Sequence, residues 1–385
     1  PRRARRACDY RAYLPDQLAD RAFSVDGAVA ADVAQAELAI ARLDGRARAL
    51  VDTEALARLL LRSESVASSW IEGIEVRPRR LLRVAAEQRL GEEPRDVTAS
   101  EVLANVDAMQ LGMESVREGT KLDVGLLLKM HQLLLSRTHM GAHAGRFRTA
   151  QNWIGGSGYN PCEATFVPPP PERVEPLMND LCTFCNTDDL PTVAQAAIAH
   201  AQFETIHPFP DGNGRIGRAL IQLILRRRGL SKRALAPISL ILARSRENYF
   251  STLRATAYTG RPDSANARES ANAWIEFFAA TALQAAREAH AFEQRIDKLE
   301  ARWRKRLGRV RAASAVDLLL RRLPAAPVLT VPGVAEMTGR SFEAANNAVA
   351  VLVEAGVLKP ITVARRNRAF EVPELITAFA EFERP

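Results

Sequence analysis

Apolar residues recur at three- and four-residue spacing along most of this chain, in runs rich in Ala, Leu, Arg and Glu. Residues 28–115 and 121–136 carry the pattern almost without break, which predicts helix and makes the first third a helical bundle. The pattern returns at Glu172 and continues to about Ala301, interrupted at HPFPDGNG (His207 to Gly214), APIS (Ala236 to Ser239) and TGRPDS (Thr259 to Ser264). Residues 144–171 differ: Gly155, Gly156 and Gly158 are followed by a short apolar piece and four prolines, which predicts a hairpin or flap and then a rigid linker. After the basic stretch Arg302 to Arg311 the periods change again. A helix at 313–323, the apolar run VLTV, helices near 332–338 and 342–355, and two short strands around the basic turn of ITVARRNRAFEV follow in the order of a winged helix. The expected fold is mainly α, with a small β-hairpin flap and a C-terminal winged-helix domain, divided as 1–120, 121–300 and 301–385.

Composition adds bounds to this picture. A chain of 385 residues is too long for one small core, and 47% hydrophobic with 25% charged residues excludes wholesale disorder. No apolar run reaches the ~18–20 residues that span a bilayer, so no membrane partner is expected. The basic N-terminus PRRARRACDYRAYLP lacks the apolar core of a secretory signal, which points to a cytoplasmic protein. Cys8, Cys162, Cys182 and Cys185 are the only cysteines; the lone C-x-x-C pair, CTFC, has no second pair at zinc spacing, so four reduced thiols are expected. The formal charge of +8 suits an acidic partner without choosing one.

The loop HPFPDGNGRIGR contains GNGRIG, a formal match to the dinucleotide fingerprint G-x-G-x-x-G. That fingerprint must follow a strand, whereas Ala194, Ala197, Ile198 and Ala201 upstream and Ile216, Leu220, Leu223 and Ile224 downstream both have helical spacing. The loop therefore joins two helices and empties onto a helix N-terminus, where free N–H groups and the positive dipole end suit a phosphate. Gly212 and Gly214 let the backbone approach an anion, and Asn213 tolerates a left-handed conformation. Arg215 and Arg218 stand three apart on the first turn, where two cations oppose the dipole unless anions offset them. Asp211 is a carboxylate suited to Mg²⁺, and His207 is the side chain here with a near-neutral titration, suited to act as a base.

These twelve residues resemble, at every defining position, the H-P-F-x-[DE]-G-N-G-R-x-x-R motif of the Fic family, whose members mostly transfer AMP from ATP to hydroxyl side chains of proteins. FRTAQNWIGG followed by ATFVPPPP is similar to the flap that precedes that motif, and residues 121 to 280 resemble the Fic core. The resemblance implies that His207 deprotonates a Tyr, Thr or Ser hydroxyl of a target protein, or of the chain itself. It further implies that Asp211 holds Mg²⁺, that Gly212, Asn213, Gly214 and Arg215 cradle the α- and β-phosphates of ATP, and that Arg218 reaches the γ-phosphate. In RENYFSTL, Tyr249 and Phe250 fall where the family lines its base pocket, with core packing as the alternative.

Upstream, in SVASSWIEGIEV, Glu72 falls in the last turn of a helix ended by Gly73, where the dipole disfavours a carboxylate. SSWIEG resembles the inhibitory motif [ST]-x-x-x-E-[GN] of many Fic proteins, with Ser68 and Glu72 at its defining positions. The implied mechanism is that Glu72 pairs with Arg218 and takes the place the γ-phosphate needs. The expected function is thus an adenylyltransferase held in check by Glu72. Removal of AMP at the same site is an alternative, and so is a DNA-binding regulator with a vestigial nucleotide site. For the last, Arg340, Asn346, Asn347, Arg365, Arg366 and Arg368 are the candidate contacts, although winged helices also serve protein contact and homodimer formation.

Overall fold

Glycine and proline stand at several helix ends, among them Gly73 after the second helix and Pro78 at the start of the third. The computed structural model describes residues 7–47, 53–89, 91, 92, 94–363 and 367–384. The near-continuous run expected over 28–115 is divided into α1 (Gly27–Ala47), α2 (Thr53–Ile71), α3 (Pro78–Arg89) and α4 (Val97–Ser115). α2 ends because Gly73 adopts φ +81°, donating to the Trp70 carbonyl (2.8 Å) while Ile74 donates to Ser69 (3.0 Å). α5 (Val124–Leu135) starts at Asp123, whose carboxylate caps the Leu126 N–H. There follow α6 (Val174–Cys185), α7 (Thr192–Ile206), α8 (Asn213–Arg227), α9 (Ile238–Arg244), α10 (Arg246–Arg254) and the long α11 (Ala265–Leu307), which runs through most of the basic stretch read as a change of domain.

By internal packing the chain groups into two units, residues 1–38, 107–232 and 245–283, and residues 39–106, 233–244 and 284–385. The boundaries expected near 120 and 300 fall inside these stretches. In the first unit α7 and α8 are the centre. The spacing of Ala194, Ala197, Ile198 and Ala201 suggests one apolar face, yet every residue from Thr192 to Phe203 is buried, as is every residue from Asn213 to Leu225. Alanine permits this because it packs on all sides without requiring volume. Phe203 of α7 and, beyond the helix, Phe209, Trp274 and Phe278 are buried, each contributing ~1.5–3 kcal/mol by burial, and Trp274 hydrogen-bonds the Ala197 carbonyl (2.7 Å).

Residues 8–26 precede α1 without helix. Tyr13 donates its main-chain N–H to Val167 (2.8 Å), Leu18 donates to Asp180 (2.6 Å), and Gln202 donates to the Asp16 carbonyl (2.8 Å). Cys8 and Cys162 form a disulfide, which corrects the expectation of four reduced thiols; Cys182 and Cys185 are free and buried. Nothing local in the sequence marks a pair that lies 154 residues apart.

The second unit packs Val66, Leu81, Val84, Ala99, Val102 and Leu103 in one cluster, and Leu82 and Ala86 against Val328, Ala369 and Ile376 in another. Its C-terminal portion contains α12 (Ala315–Arg322), β1 (Val328–Thr330), α13 (Val331–Thr338), α14 (Phe342–Glu354), β2 (Lys359–Val363), β3 (Asn367–Glu371) and a helix not foreseen, α15 (Pro373–Phe382). The strands form an antiparallel sheet in the order β1-β3-β2, with Leu329 opposite Phe370 and Ile361 opposite Ala369. Asn346 and Asn347 are exposed on α14, and Arg340 donates to the Ala313 carbonyl (2.8 Å). Arg365 and Arg366 lie outside the described residues, as does the side chain of Arg368. Among the described residues no helix is long and apolar enough to cross a membrane.

Candidate active site

A tight loop between two buried helices has carbonyls that must find donors, and the His207–Gly212 loop finds them on the side facing the protein. Arg148 donates through Nε to the His207 carbonyl (2.9 Å) and through Nη2 to Ile206 (3.3 Å), and its main-chain N–H takes the Pro208 carbonyl (3.0 Å). Asn152 donates to Phe209 (3.2 Å), and Asn213 holds the same residue twice, accepting its N–H and donating to its carbonyl, each at 2.8 Å. His131 takes the Asp211 carbonyl (3.0 Å). Gly145 donates to His131 Nδ1 (3.0 Å), so the ring proton sits on Nε2. Burial holds the His131 pKa down to about 4, and its ring stacks on Phe209 at 3.7 Å.

With the carbonyls engaged, the loop enters α8 through Gly212 at φ +80°, a left-handed cap with no side-chain cap hydrogen bond. A Cβ there would approach Leu134 to 3.0 Å, and an L side chain would be strained, so glycine is required twice over. The first-turn N–H groups are thus left without a side-chain cap, the condition for an anion site. Arg215 extends it. Its guanidinium is buried, with 3% of the residue exposed, and its Nε and Nη1 have no hydrogen-bond partner among the described residues; Nη2 reaches Asp211 only at 3.4 Å. A buried cation with two unsatisfied N–H groups beside uncapped amides fits a phosphate. The Asp211 carboxylate accepts the Gly212 N–H (2.6 Å), and its side chain is 45% exposed, leaving oxygen available to Mg²⁺, an ion that uses few protein ligands. No group of three or more metal-ligating side chains occurs among the described residues.

His207 caps α7 in the left-handed region, φ 49°, one of two non-glycine residues described there. Such a conformation costs ~1–3 kcal/mol and persists only where surroundings enforce it, here the donors on its carbonyl. Its Nδ1 lies 3.3 Å from the Glu204 carbonyl, which can only accept, so the proton is on Nδ1 and Nε2 is the basic nitrogen. The Glu204 carboxylate stands 4.0 Å from the same Nδ1.

His207, Asp211, Gly212, Asn213, Gly214, Arg215 and Arg218 are brought together on this loop and helix. Arg218 is 1% exposed, and its charge, after burial itself, holds the His200 pKa down to about 3. Tyr249 takes the core position that was its alternative: it is fully buried, and its hydroxyl meets His200 Nε2 at 2.8 Å. Phe250 is half-buried beside it, under the Arg246 guanidinium (5.5 Å). Ser68 is buried in α2, and Glu72 follows that helix as an exposed residue of the other unit. The flap expected at 144–171 is present as a single antiparallel bridge, Ile154 with Phe166, and a Cβ on Gly156 would meet the Glu163 carbonyl oxygen at 2.5 Å. His131, Arg148 and Asn152 were not singled out in the sequence.

Comparison with known proteins bears on the fold and the family. Residues 121–225 match the Fic/DOC family and residues 30–114 its N-terminal region. A protein adenylyltransferase of Caenorhabditis elegans is 31% identical over 140 residues, 36% of this chain and 24% of that protein. A probable protein adenylyltransferase of Aquifex aeolicus is 42% identical over 92 residues, 24% of this chain and 26% of that protein. The chain thus matches about a quarter of the length of these relatives. Among solved structures, a Fic family protein from Desulfovibrio desulfuricans aligns over 91% of this chain and 97% of its own, with TM-score 0.54 and 22% identity. A Fic domain containing signaling protein from Bacteroides thetaiotaomicron aligns over 67% and 95%, with TM-score 0.53 and 20% identity. The mainly helical fold, the motif loop on α8 and the two matched regions converge: residues 121–225 carry a Fic/DOC family domain, preceded over residues 30–114 by the family's N-terminal region.

Proposed function

We propose that the chain transfers AMP from ATP to a hydroxyl side chain of a target protein. The observation that carries this reading is the α8 N-terminus, where uncapped amides and two unsatisfied nitrogens of Arg215 suit an anion beside a histidine whose Nδ1 is turned to the Glu204 carbonyl. His207 Nε2 takes the proton of the target hydroxyl, whose oxygen attacks the α-phosphorus, and pyrophosphate leaves. The loop N–H groups and Arg215 hold the α- and β-phosphates and stabilise charge as it shifts toward the leaving group, with Arg218 toward the γ-phosphate. Mg²⁺, held by Asp211, would neutralise phosphate charge when bound. The names of the relatives, protein adenylyltransferases, support the same reaction class.

Glu72 is the restraint in this reading, a carboxylate competing with the γ-phosphate for Arg218, as the SSWIEG resemblance implies. Ser68 belongs to the same inhibitory motif. The test is incubation of the full chain with Mg²⁺ and ATP labelled on the α-phosphate, in a lysate of its own cell. Wild type should label protein and His207→Ala should not. If neither labels protein and Glu72→Gly labels none either, the transferase reading is wrong.

A further inference from the structure

Arg148 is a buried side chain outside the motif whose guanidinium makes four hydrogen bonds. With 4% of its surface exposed, it has only carbonyls as hydrogen-bond partners among the described residues, and they come from two separate places. Toward the motif loop it holds Ile206 (3.3 Å) and His207 (2.9 Å). Toward the flap it holds Ala150 (3.4 Å), just before the first arm, and Pro169, just after the second. The arms themselves meet at Ile154 and Phe166, and Gln151 closes the root by donating to Pro168 (2.9 Å). The other donor to the His207 carbonyl also comes from the flap root, Asn152 at 3.4 Å.

Burying a guanidinium against neutral carbonyls is costly, and burial pulls its pKa down to about 10, with Glu172 opposing at a distance. A shorter polar residue would satisfy one carbonyl. Only a planar fork with five N–H donors spans four carbonyls on two segments at once, and lysine, with three donors at one point, cannot. The arrangement therefore fixes one segment relative to the other.

We propose that Arg148 is a positioning residue that joins the flap to the base, so that a target segment docked on the flap is registered against His207. This rests on the reading of His207 as the base and of the flap as the main-chain docking edge. Arg148 touches neither the α8 amides nor Arg215, so its role is distinct from nucleotide binding.

The experiment uses the full chain with Arg148→Lys, which keeps the charge and loses the fork. For transfer to protein, kcat should fall by about 100-fold, the scale on which a misplacement near 1 Å slows an oriented reaction. The dissociation constant of MgATP, measured by calorimetry, should stay within about twofold of wild type. In hydrogen exchange, the amides of Ile154, Phe166 and His207 should speed up together. A parallel loss of ATP affinity and kcat would show that Arg148 only supports the loop, and an unchanged kcat would remove the proposal outright. Faster exchange in the flap with His207 unaffected would also overturn it. If neither wild type nor Glu72→Gly transfers AMP, the functional reading fails, and the exchange of these three amides still decides whether flap and base are joined. Should Arg148→Lys fail to fold, Asn152→Ala, which removes the second flap-root donor to the His207 carbonyl, is judged by the same measurements with a smaller kcat loss of about tenfold.

Discussion

Replacing Arg215 with methionine should make the empty protein more stable and its nucleotide binding much weaker, two effects of opposite sign from one side chain. Without a ligand, Arg215 is a buried cation whose Nε and Nη1 have no partner among the described residues. Each unsatisfied buried donor costs ~1–3 kcal/mol, and the charge also opposes the positive end of α8. Against this stands one long contact, 3.4 Å to a half-exposed Asp211 carboxylate, which solvent discounts to ~1 kcal/mol or less. Methionine fills a similar length without polar atoms, so a net gain of ~1–3 kcal/mol is expected, or a rise in Tm of a few degrees for a protein of this size. With ATP present the balance reverses. Two charge-assisted hydrogen bonds to phosphate are worth ~1.5–3 kcal/mol each, so affinity should fall by about 100-fold or more.

Thermal unfolding with and without MgATP reads both effects in one assay. Ligand at about 100 times its dissociation constant stabilises the wild type by ~2.7 kcal/mol, and at the same concentration the variant should gain about half of that or less. The wild-type and variant curves should therefore cross as ATP is added. A variant that melts below wild type without ligand, and still shows the full ATP-dependent rise, would refute the reasoning and make Arg215 a structural residue.

Three further outcomes follow from the site. His207→Ala should abolish transfer while calorimetry shows ATP binding largely intact, because the ring acts on the hydroxyl and not on the phosphates; a matching loss of binding would make its role structural. Glu72→Gly should raise AMP transfer, self-modification included, by about tenfold, the low end of a charge-assisted pair because Glu72 is exposed, and the added change Arg218→Ala should erase the gain; unchanged labelling would end the inhibitory reading. Stability should fall on acidification below about pH 6.5. His131 and His200 titrate at about 4 and about 3 in the folded chain, against 6.5 when unfolded, so the unfolded state binds protons first; the loss accumulates as pH falls toward those values, roughly 3 kcal/mol for His131, and denaturant unfolding at pH 7 and pH 5 checks its sign.

What was legible in the sequence was what is local. His207 to Arg218 are contiguous, and the main features have reasons that can be stated without knowing the rest of the chain: a left-handed glycine, a carboxylate before uncapped amides, an arginine in the first turn and another in the second. The helices were legible for the same reason, although the spacing over 28–115 hid its breaks, since a single Gly73 or Pro78 does not disturb apolar periodicity. The donors to the loop were not legible. His131, Arg148 and Asn152 lie 80, 59 and 57 positions from the groups they hold, and as residue types they are unremarkable in an arginine-rich, helical chain. The disulfide was invisible on the same ground.

A physical argument could nevertheless have demanded such residues, because a non-helical loop between two buried helices presents carbonyls that water cannot reach. Ile206, His207, Pro208, Phe209 and Asp211 each present one, and each is met. The Asp211 carbonyl, held by His131, shares its peptide plane with the Gly212 N–H, which the Asp211 carboxylate accepts, and Gly212 at φ +80° then turns the chain into α8. The start of α8 is thus tied through one peptide plane to a ring 80 positions away in the chain. On this view, substitution at His131 should weaken nucleotide binding without touching a phosphate.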